Sequence, residues 1–248
     1  MPGRSDELYA GSAEHYVRGR MPYPDGIPDV LGLAGSERLL DVGCGPGSLT
    51  NLLAPHVAEA VGVDASAEMV DVAARTAAPN TLFLRLCAEE LPAGLGQFDL
   101  VTLAQSFHWF ETDEVARTLH AMLAPGGRLV HVGATTHEGD GNVPREEIRA
   151  LVEHWVGADP RVKTGDHRAI FDRVGFRNRR EIDIERDETI ERSEDDVVSS
   201  VLSLSYAAPH LFGGRLAEFE AALRALLRAG GPYYERPRAI TLTIWDGG

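Results

Sequence analysis

The sequence predicts an α/β fold built on a parallel sheet with crossover helices. Three observations predict it. Apolar runs alternate with helical patterns through residue 133, as strand–helix–strand units require. The first apolar run ends in an acid followed by three alternate glycines, Arg38-Leu39-Leu40-Asp41-Val42-Gly43-Cys44-Gly45-Pro46-Gly47. Apolar residues make up 44% of the 248-residue chain, enough to bury the core of one α/β domain with an elaboration or small lid.

The elements follow in order. Strands are predicted at Arg38 to Gly43, Glu59 to Asp64, Thr81 to Leu86, Phe98 to Leu103 and Arg128 to Val132. Helices are predicted near Ser48 to Leu53, Ser66 to Thr76 and Glu114 to Leu123. Ser66, with Met69 and Val70 behind it, reads as an N-cap opening an amphipathic helix. Pro125-Gly126-Gly127 reads as a helix stop and turn before the fifth strand. Beyond Val132 the composition changes. Thr135 to Pro144 reads as a polar loop, and Arg145 to Trp155 and His167 to Val174 as helices, the second ended by Gly175. Phe176 to Asp187 reads as a strand with exposed charged positions. Two more helices are predicted at Ser193 to Ser205 and Arg215 to Arg228, and an alternating strand at Ala239 to Trp245.

Charge narrows the partners. With 24 basic and 38 acidic residues the net charge is −14. Such a chain has no electrostatic reason to sit on nucleic-acid phosphates or an anionic membrane. A small-molecule partner is expected, and a monomer or weak homodimer suits the size. The two cysteines, Cys44 and Cys87, make no disulfide framework, and no Cys/His spacing reads as a metal site. The polar start, Met1 to Glu7, lacks the apolar core of a signal peptide, and no apolar run is long enough for a bilayer. A soluble, cytoplasmic protein is expected.

The glycine turn carries the chemistry. Glycine accepts φ > 0 and has no Cβ, so the backbone turns sharply and approaches a ligand closely. A dinucleotide site aims amide groups at a negative pyrophosphate. The Asp41 carboxylate would repel a phosphate there and attract an ammonium group, which points to a ligand with a cationic amino-acid end. The dinucleotide fingerprint Gly-x-Gly-x-x-Gly also fails, because position 48 is Ser48. Asp64 ends the second strand, about 20 residues after the turn, where an acid accepts from both ribose hydroxyls of a nucleoside. Dinucleotide folds use the same acid, so Asp64 with its neighbour Ala65 does not separate the two.

From Asp41 to Gly47 the chain resembles the class I S-adenosylmethionine-dependent methyltransferases, whose first motif is an acid, any residue, then Gly-x-Gly-x-Gly. Among them it is most similar to the small-molecule enzymes of the type 11 and trans-aconitate methyltransferase-like group. Phe98-Asp99-Leu100-Val101 resembles their fourth-strand motif, and Leu123 to Gly127 their turn into strand five. The resemblance implies a Rossmann-like, seven-stranded mixed sheet flanked by helices, closed by an antiparallel pair of strands. A helical substrate-covering insert precedes the last strand. The implied divisions are a cofactor-covering segment with the first helix at 1–36, the core at 37–187, the insert at 188–237 and the final strand at 238–248.

The resemblance also implies the cofactor, S-adenosylmethionine, and its contacts: Asp41, Gly43, Gly45 and Gly47 in the cradle, and Asp64 and Ala65 at the ribose. Met69 stands where the family packs the adenine ring, or else fills the core. The family's Gly-Asp-Ala after strand three is Leu86-Cys87-Ala88 here. Cys87 is a weak acceptor, so Glu89 or the backbone of Ala88 takes the adenine amino group instead. Arg20 is chosen to pair with the methionine carboxylate, with Tyr16 beside it, from the segment holding Tyr9, Arg18 and Tyr23. Gln105 is placed near the methionine portion.

A sulfonium methyl is already activated, so catalysis is largely positional. The loop Ala104 to Phe110 lies at the carboxyl end of strand four, which is the ligand crevice of such sheets. His108 is the candidate general base, because its ordinary pKa lies near neutrality. Trp109 and Phe110 wall the pocket or fill the core. Thr135, Thr136 and His137, and from the insert Tyr206 and His210, are further candidates to face substrate, whereas His131 reads as structural. The acids from Asp187 to Asp196 read as a solvated face, not a metal site. Oxygen, including carboxylate, is the leading acceptor. An NAD-dependent oxidoreductase, or a protein that keeps the cofactor without methylating, are the alternatives.

Overall fold

The computed structural model describes residues 8–110, 112–157, 167–228 and 230–247. The stretch Met1 to Glu7 lies outside them. In chain order the elements are α1 (Ala13–Gly19), α2 (Ile27–Leu31), β1 (Arg38–Val42), α3 (Ser48–Leu53), β2 (Glu59–Asp64), α4 (Ala67–Ala74), β3 (Thr81–Arg85) and β4 (Phe98–Ala104). There follow α5 (Asp113–Ala121), β5 (Leu123–Gly133), β6 (Asp140–Gly141), α6 (Arg145–Val156), α7 (His167–Val174) and β7 (Arg177–Ile184). The last are β8 (Ile190–Arg192), α8 (Glu194–Leu202), α9 (Leu216–Leu227), β9 (Tyr233–Arg236) and β10 (Ile240–Asp246).

The chain divides into two compact units, one of residues 23–134, 163–185 and 239–248, the other of 1–22, 135–162 and 186–238. The division differs from the expected one, since residues 135–157 group with the insert and not with the core.

The first unit is a seven-stranded sheet in the order β3-β2-β1-β4-β5-β10-β7. β1 pairs in parallel with β2 and β4, and β10 runs antiparallel to both β5 and β7. This is the expected mixed Rossmann-like sheet. The central strands are apolar on both faces because helices cover both. One face packs Leu40, Val101, Phe107, Phe171 and Trp245, the other Leu39, Leu49, Leu100, Val130 and Leu242. Each such buried side chain contributes about 2 kcal/mol of transfer free energy. β7 is the opposite case, an edge strand with Arg177, Arg179 and Arg180 exposed, and charge of this kind blunts an edge against mispairing.

Ser66 caps α4 as expected, accepting the Met69 amide at 3.4 Å. Thr112 does the same for α5, accepting from Val115 at 3.1 Å. Asp99 orders the sheet by accepting the Arg38 amide at 2.8 Å. Pro125-Gly126-Gly127 departs from expectation. It lies inside a long β5, where the pairing with β4 shifts register between Phe98 and Leu100. Gly127 sits against backbone there, so the three residues form an irregularity within a strand and not a stop before one.

The second unit is not purely helical. It adds a three-stranded sheet, β6-β9-β8, to the helices α1, α6, α8 and α9. Its core is Val143, Ile148, Val152, Val197, Val201, Phe212 and Phe219. Gly19 lets α1 cross α8 closely, because a Cβ there would lie 2.2 Å from the Ser200 amide nitrogen.

Candidate cofactor-binding site

The glycine turn joins β1 to α3, and its three glycines do different work. All three have positive φ, 69° at Gly43, 55° at Gly45 and 81° at Gly47. A Cβ on Gly43 would meet the Ser106 Cβ at 2.4 Å, and one on Gly47 the Phe83 ring at 2.8 Å. Those two glycines permit close packing. A Cβ on Gly45 would meet nothing within 4 Å. Gly45 therefore fronts open space, the place where a ligand can approach the backbone.

Asp64, at the end of β2, holds this turn. Its Oδ2 accepts the Gly45 amide and its Oδ1 the Ser66 amide, both at 2.9 Å. Ala65 follows, its carbonyl accepting from Arg85 Nε at 3.3 Å.

Asp41 does not do what its sequence position suggests. The side chain has no exposed surface. Its Oδ1 accepts the Thr102 hydroxyl at 2.7 Å and its Oδ2 the Thr50 hydroxyl at 2.6 Å. The expected direct attraction of a ligand ammonium group is replaced by this internal bonding, because the strand pleat turns the carboxylate into the core. Burial pushes its pKa up to about 6, the two hydroxyls acting in the other direction and the nearby Asp64 adding to the rise.

Around the turn, Met69 is buried at 2% exposure. Ala88 is buried and Glu89 exposed, on a short 3-10 turn. Cys87 opens that turn as its N-cap. Its amide donates to Glu90 Oε2 at 2.7 Å, and its side chain accepts from the Glu90 amide. The thiol that stands in the family's Asp position is therefore a local cap. Cys44, buried in the glycine turn, has its thiol pKa raised by burial.

The loop after β4 packs on the same turn. Ser106 donates to the Val42 carbonyl at 2.5 Å. Gln105 adopts φ 55°, a left-handed conformation that costs a non-glycine residue about 1 kcal/mol or more and that clusters at functional sites. His108 lies on the 3-10 turn Phe107–Trp109, half-buried, its ring centroid 4.5 Å from that of Trp109. Phe107 is core, 4.6 Å from Phe171.

Arg20 and Tyr16 belong to the other unit. Arg20 stacks on the Tyr16 ring with 4.3 Å from Cζ to centroid. Its Nε donates to Ser203 Oγ at 2.8 Å, its Nη2 to the Ser203 carbonyl at 2.8 Å, and its Nη1 lies 3.3 Å from His137 Nδ1. Among the described residues no carboxylate pairs with it. Burial, then the charges of Arg20, Arg145 and Arg238, push the His137 pKa down to about 3. In the same unit Thr136 accepts the Met21 amide at 2.7 Å, and Ser200 donates to the His137 carbonyl at 2.6 Å. His210 Nδ1 lies 3.4 Å from the Ala10 carbonyl, and burial raises the Tyr206 pKa. Among the described residues no cluster of three His, Cys, Asp or Glu is placed to hold a metal ion, and no helix is long and apolar enough to cross a membrane.

The structure thus brings Gly43, Gly45, Gly47, Asp64, Gln105 and His108 onto one edge of one sheet. Thr50, Thr102 and Ser106 were missed in the sequence. The only available signal was a hydroxyl in an otherwise apolar run: Thr102 inside Leu100 to Leu103, and Thr50 between Leu49 and Leu52.

A sheet in this order, with a glycine turn at the end of β1 and an acid at the end of β2, is a Rossmann-like fold. Residues 39–127 match the family described as a methyltransferase domain. An uncharacterized methyltransferase of Mycobacterium tuberculosis is 40% identical over 136 residues, 54% of this chain and 56% of that protein. An uncharacterized methyltransferase-like protein of Schizosaccharomyces pombe is 33% identical over 134 residues, 52% of this chain and 51% of that one. The chain thus spans about half the length of these relatives. The crystal structure of the YcgJ protein of Bacillus subtilis superposes with a TM-score of 0.53 at 20% identity, covering 88% of this chain and 95% of that one, which is a likeness of fold. The match places a methyltransferase domain on residues 39–127, within the part of the chain that builds the seven-stranded sheet.

Proposed function

We propose that this protein transfers a methyl group from S-adenosylmethionine to a small-molecule acceptor by in-line displacement. The observation that carries the reading is the cradle: open space in front of Gly45, whose amide is held by Asp64 at the end of β2. The donor set fits the cofactor. Asp64 would take the ribose hydroxyls, with Gly43, Gly45, Gly47 and Ala65 lining the approach. Met69, Ala88 and Glu89 would border the adenine. Gln105 would contact the methionine portion.

When bound, the cofactor supplies an electrophilic methyl on a sulfonium, whose departure leaves a neutral thioether. The chain's own residues have two tasks. The turn and the β4 loop fix the line of approach. His108 would accept the acceptor's proton, imidazole being the side chain type suited to proton transfer at this position of the β4 loop. Oxygen, including a carboxylate oxygen, is the favoured nucleophile over nitrogen or carbon. The net charge of −14 supports a small molecule in preference to a nucleic acid or membrane surface. A monomer or weak homodimer in the cytoplasm completes the reading.

Calorimetric titration with S-adenosylhomocysteine, with NAD⁺ as control, tests the cofactor. Micromolar binding of the first and none of the second supports it, and binding of NAD⁺ alone overturns it. With an acceptor in hand, His108→Ala should lower turnover and leave cofactor affinity alone. A bound cofactor that never loses its methyl group would favour the non-methylating alternative.

A further inference from the structure

We propose that Thr50 and Thr102 are positioning residues of the cofactor cradle, holding the Asp41 carboxylate inward so that the glycine turn keeps its shape. The ligand named here rests on the methyltransferase reading, whereas the mechanics rest on geometry.

Asp41 and Thr102 are register partners on adjacent parallel strands, so their side chains lie side by side on one face of the sheet. Thr102 takes one carboxylate oxygen at 2.7 Å. Thr50 takes the other at 2.6 Å from α3, the helix that leaves the turn. One carboxylate therefore ties the strand entering the turn, the helix leaving it and the strand alongside. All three residues are completely buried. Between the tied points lie residues 43–47, whose three positive-φ glycines offer little stiffness of their own. No side chain caps α3 locally, since its N-cap is Gly47. The turn's amides depend on this spacing. Gly43 and Cys44 donate to the Val63 carbonyl, and Gly45 donates to Asp64.

An ordinary packing role does not call for a charge here. Apolar residues of the same shape would fill the space without desolvating a carboxylate. Burial works against the ionised form at this position, with Asp64 and the Cys44 thiol as its other titratable neighbours. A group retained against that cost, beside the place where a ligand meets the backbone, fits a functional duty.

The test uses Thr50→Val and Thr102→Val, which keep shape and remove the hydroxyl, in the whole protein. Amide hydrogen exchange is followed without ligand, and S-adenosylhomocysteine binding by calorimetry. Exchange at Gly43, Cys44 and Gly45 should quicken on the order of tenfold, with Val130 and Val132 in β5 unchanged, and the Kd should rise by a similar factor. Thr50→Ser, which keeps the hydroxyl, should restore both. Uniform quickening of all protected amides would mark an ordinary loss of core stability and overturn the proposal. Unchanged exchange in the turn would overturn it too. If the wild-type protein binds no S-adenosylhomocysteine, the cofactor reading fails, and exchange alone still decides the positioning. Should Thr102→Val not fold, Thr50→Val carries the test.

Discussion

The Gly45 amide donates to Asp64 Oδ2 at 2.9 Å, so the acid at the end of β2 fixes the middle of the turn that follows β1. The turn after β1 and the end of β2, joined through Gly45 and Asp64, 19 residues apart in sequence, are thereby locked together. The same carboxylate holds the Ser66 amide on its other oxygen and so starts α4.

Asp64→Asn is expected to weaken S-adenosylhomocysteine binding by about 10- to 100-fold. An amide has only one acceptor oxygen. Whichever way it points, it sets its NH₂ against either the Gly45 or the Ser66 amide, donor facing donor. Calorimetry with the variant measures the loss. An unchanged Kd would remove Asp64 from the site.

Alanine substitutions at Gly43 and Gly45 should separate stability from binding. At Gly45 an added methyl meets open space, so the cost to folding is the strain of a left-handed alanine, about 1 kcal/mol. Cofactor affinity should nevertheless collapse, because the methyl stands where the ligand approaches. At Gly43 the methyl meets Ser106 Cβ at 2.4 Å, and overpacking adds about 1–3 kcal/mol to the strain. Urea unfolding of both variants beside titration gives the comparison. A Gly45→Ala protein that binds normally would place the ligand elsewhere.

Asp41→Asn should show a pH-dependent stability difference. The folded pKa is about 6 against an ordinary 3.8, so the fold prefers the neutral carboxyl. The stability this group contributes is full below pH 4 and is lost as pH rises through 6. The shift corresponds to about 3 kcal/mol, taken at about 1.4 kcal/mol per unit. Relative to the asparagine variant, the wild type should lose about that much between pH 4 and pH 7 in urea unfolding. A gap that stays constant with pH would show that the carboxyl titrates normally.

The fold and much of the site were legible in the sequence for local reasons. Arg38 to Val42 reads as a strand because the apolar residues Leu39, Leu40 and Val42 run straight into a glycine, and Ser66 reads as a cap because a hydroxyl precedes a helical pattern. Gly45 and Asp64 stand at fixed distances from those signals. What escaped depended on contacts distant in sequence. Thr102 meets Asp41 through strand register, and register is set by the whole sheet. Asp41 kept its predicted place at the end of β1, but its inward direction follows from the pleat. The sheet of β6, β8 and β9 was missed because β6 and β8 are too short to show an alternating pattern. Pro125-Gly126-Gly127 was misread because a strand irregularity and a turn use the same residues.

His137 should stay neutral across the physiological range. Its pKa is held at about 3, first by burial and then by Arg20, Arg145 and Arg238. A neutral imidazole can accept from Arg20 Nη1 at Nδ1, 3.3 Å away, whereas a protonated ring would set cation against cation. The sign follows from linkage. An unfolded histidine takes up its proton near pH 6.5, which the folded one refuses, so stability is lost as pH falls from there toward 3. By pH 5 the loss is about 2 kcal/mol, and His137→Gln, which has nothing to protonate, should escape it. The ring resonances of His137 should be flat between pH 5 and pH 8 in an NMR titration. A midpoint near 6 would mean that the three arginines do not act on the ring. A histidine held neutral to such low pH is a weak base at neutrality. His137→Gln should therefore leave the shape of the pH–rate profile intact, whereas His108→Ala should lower turnover.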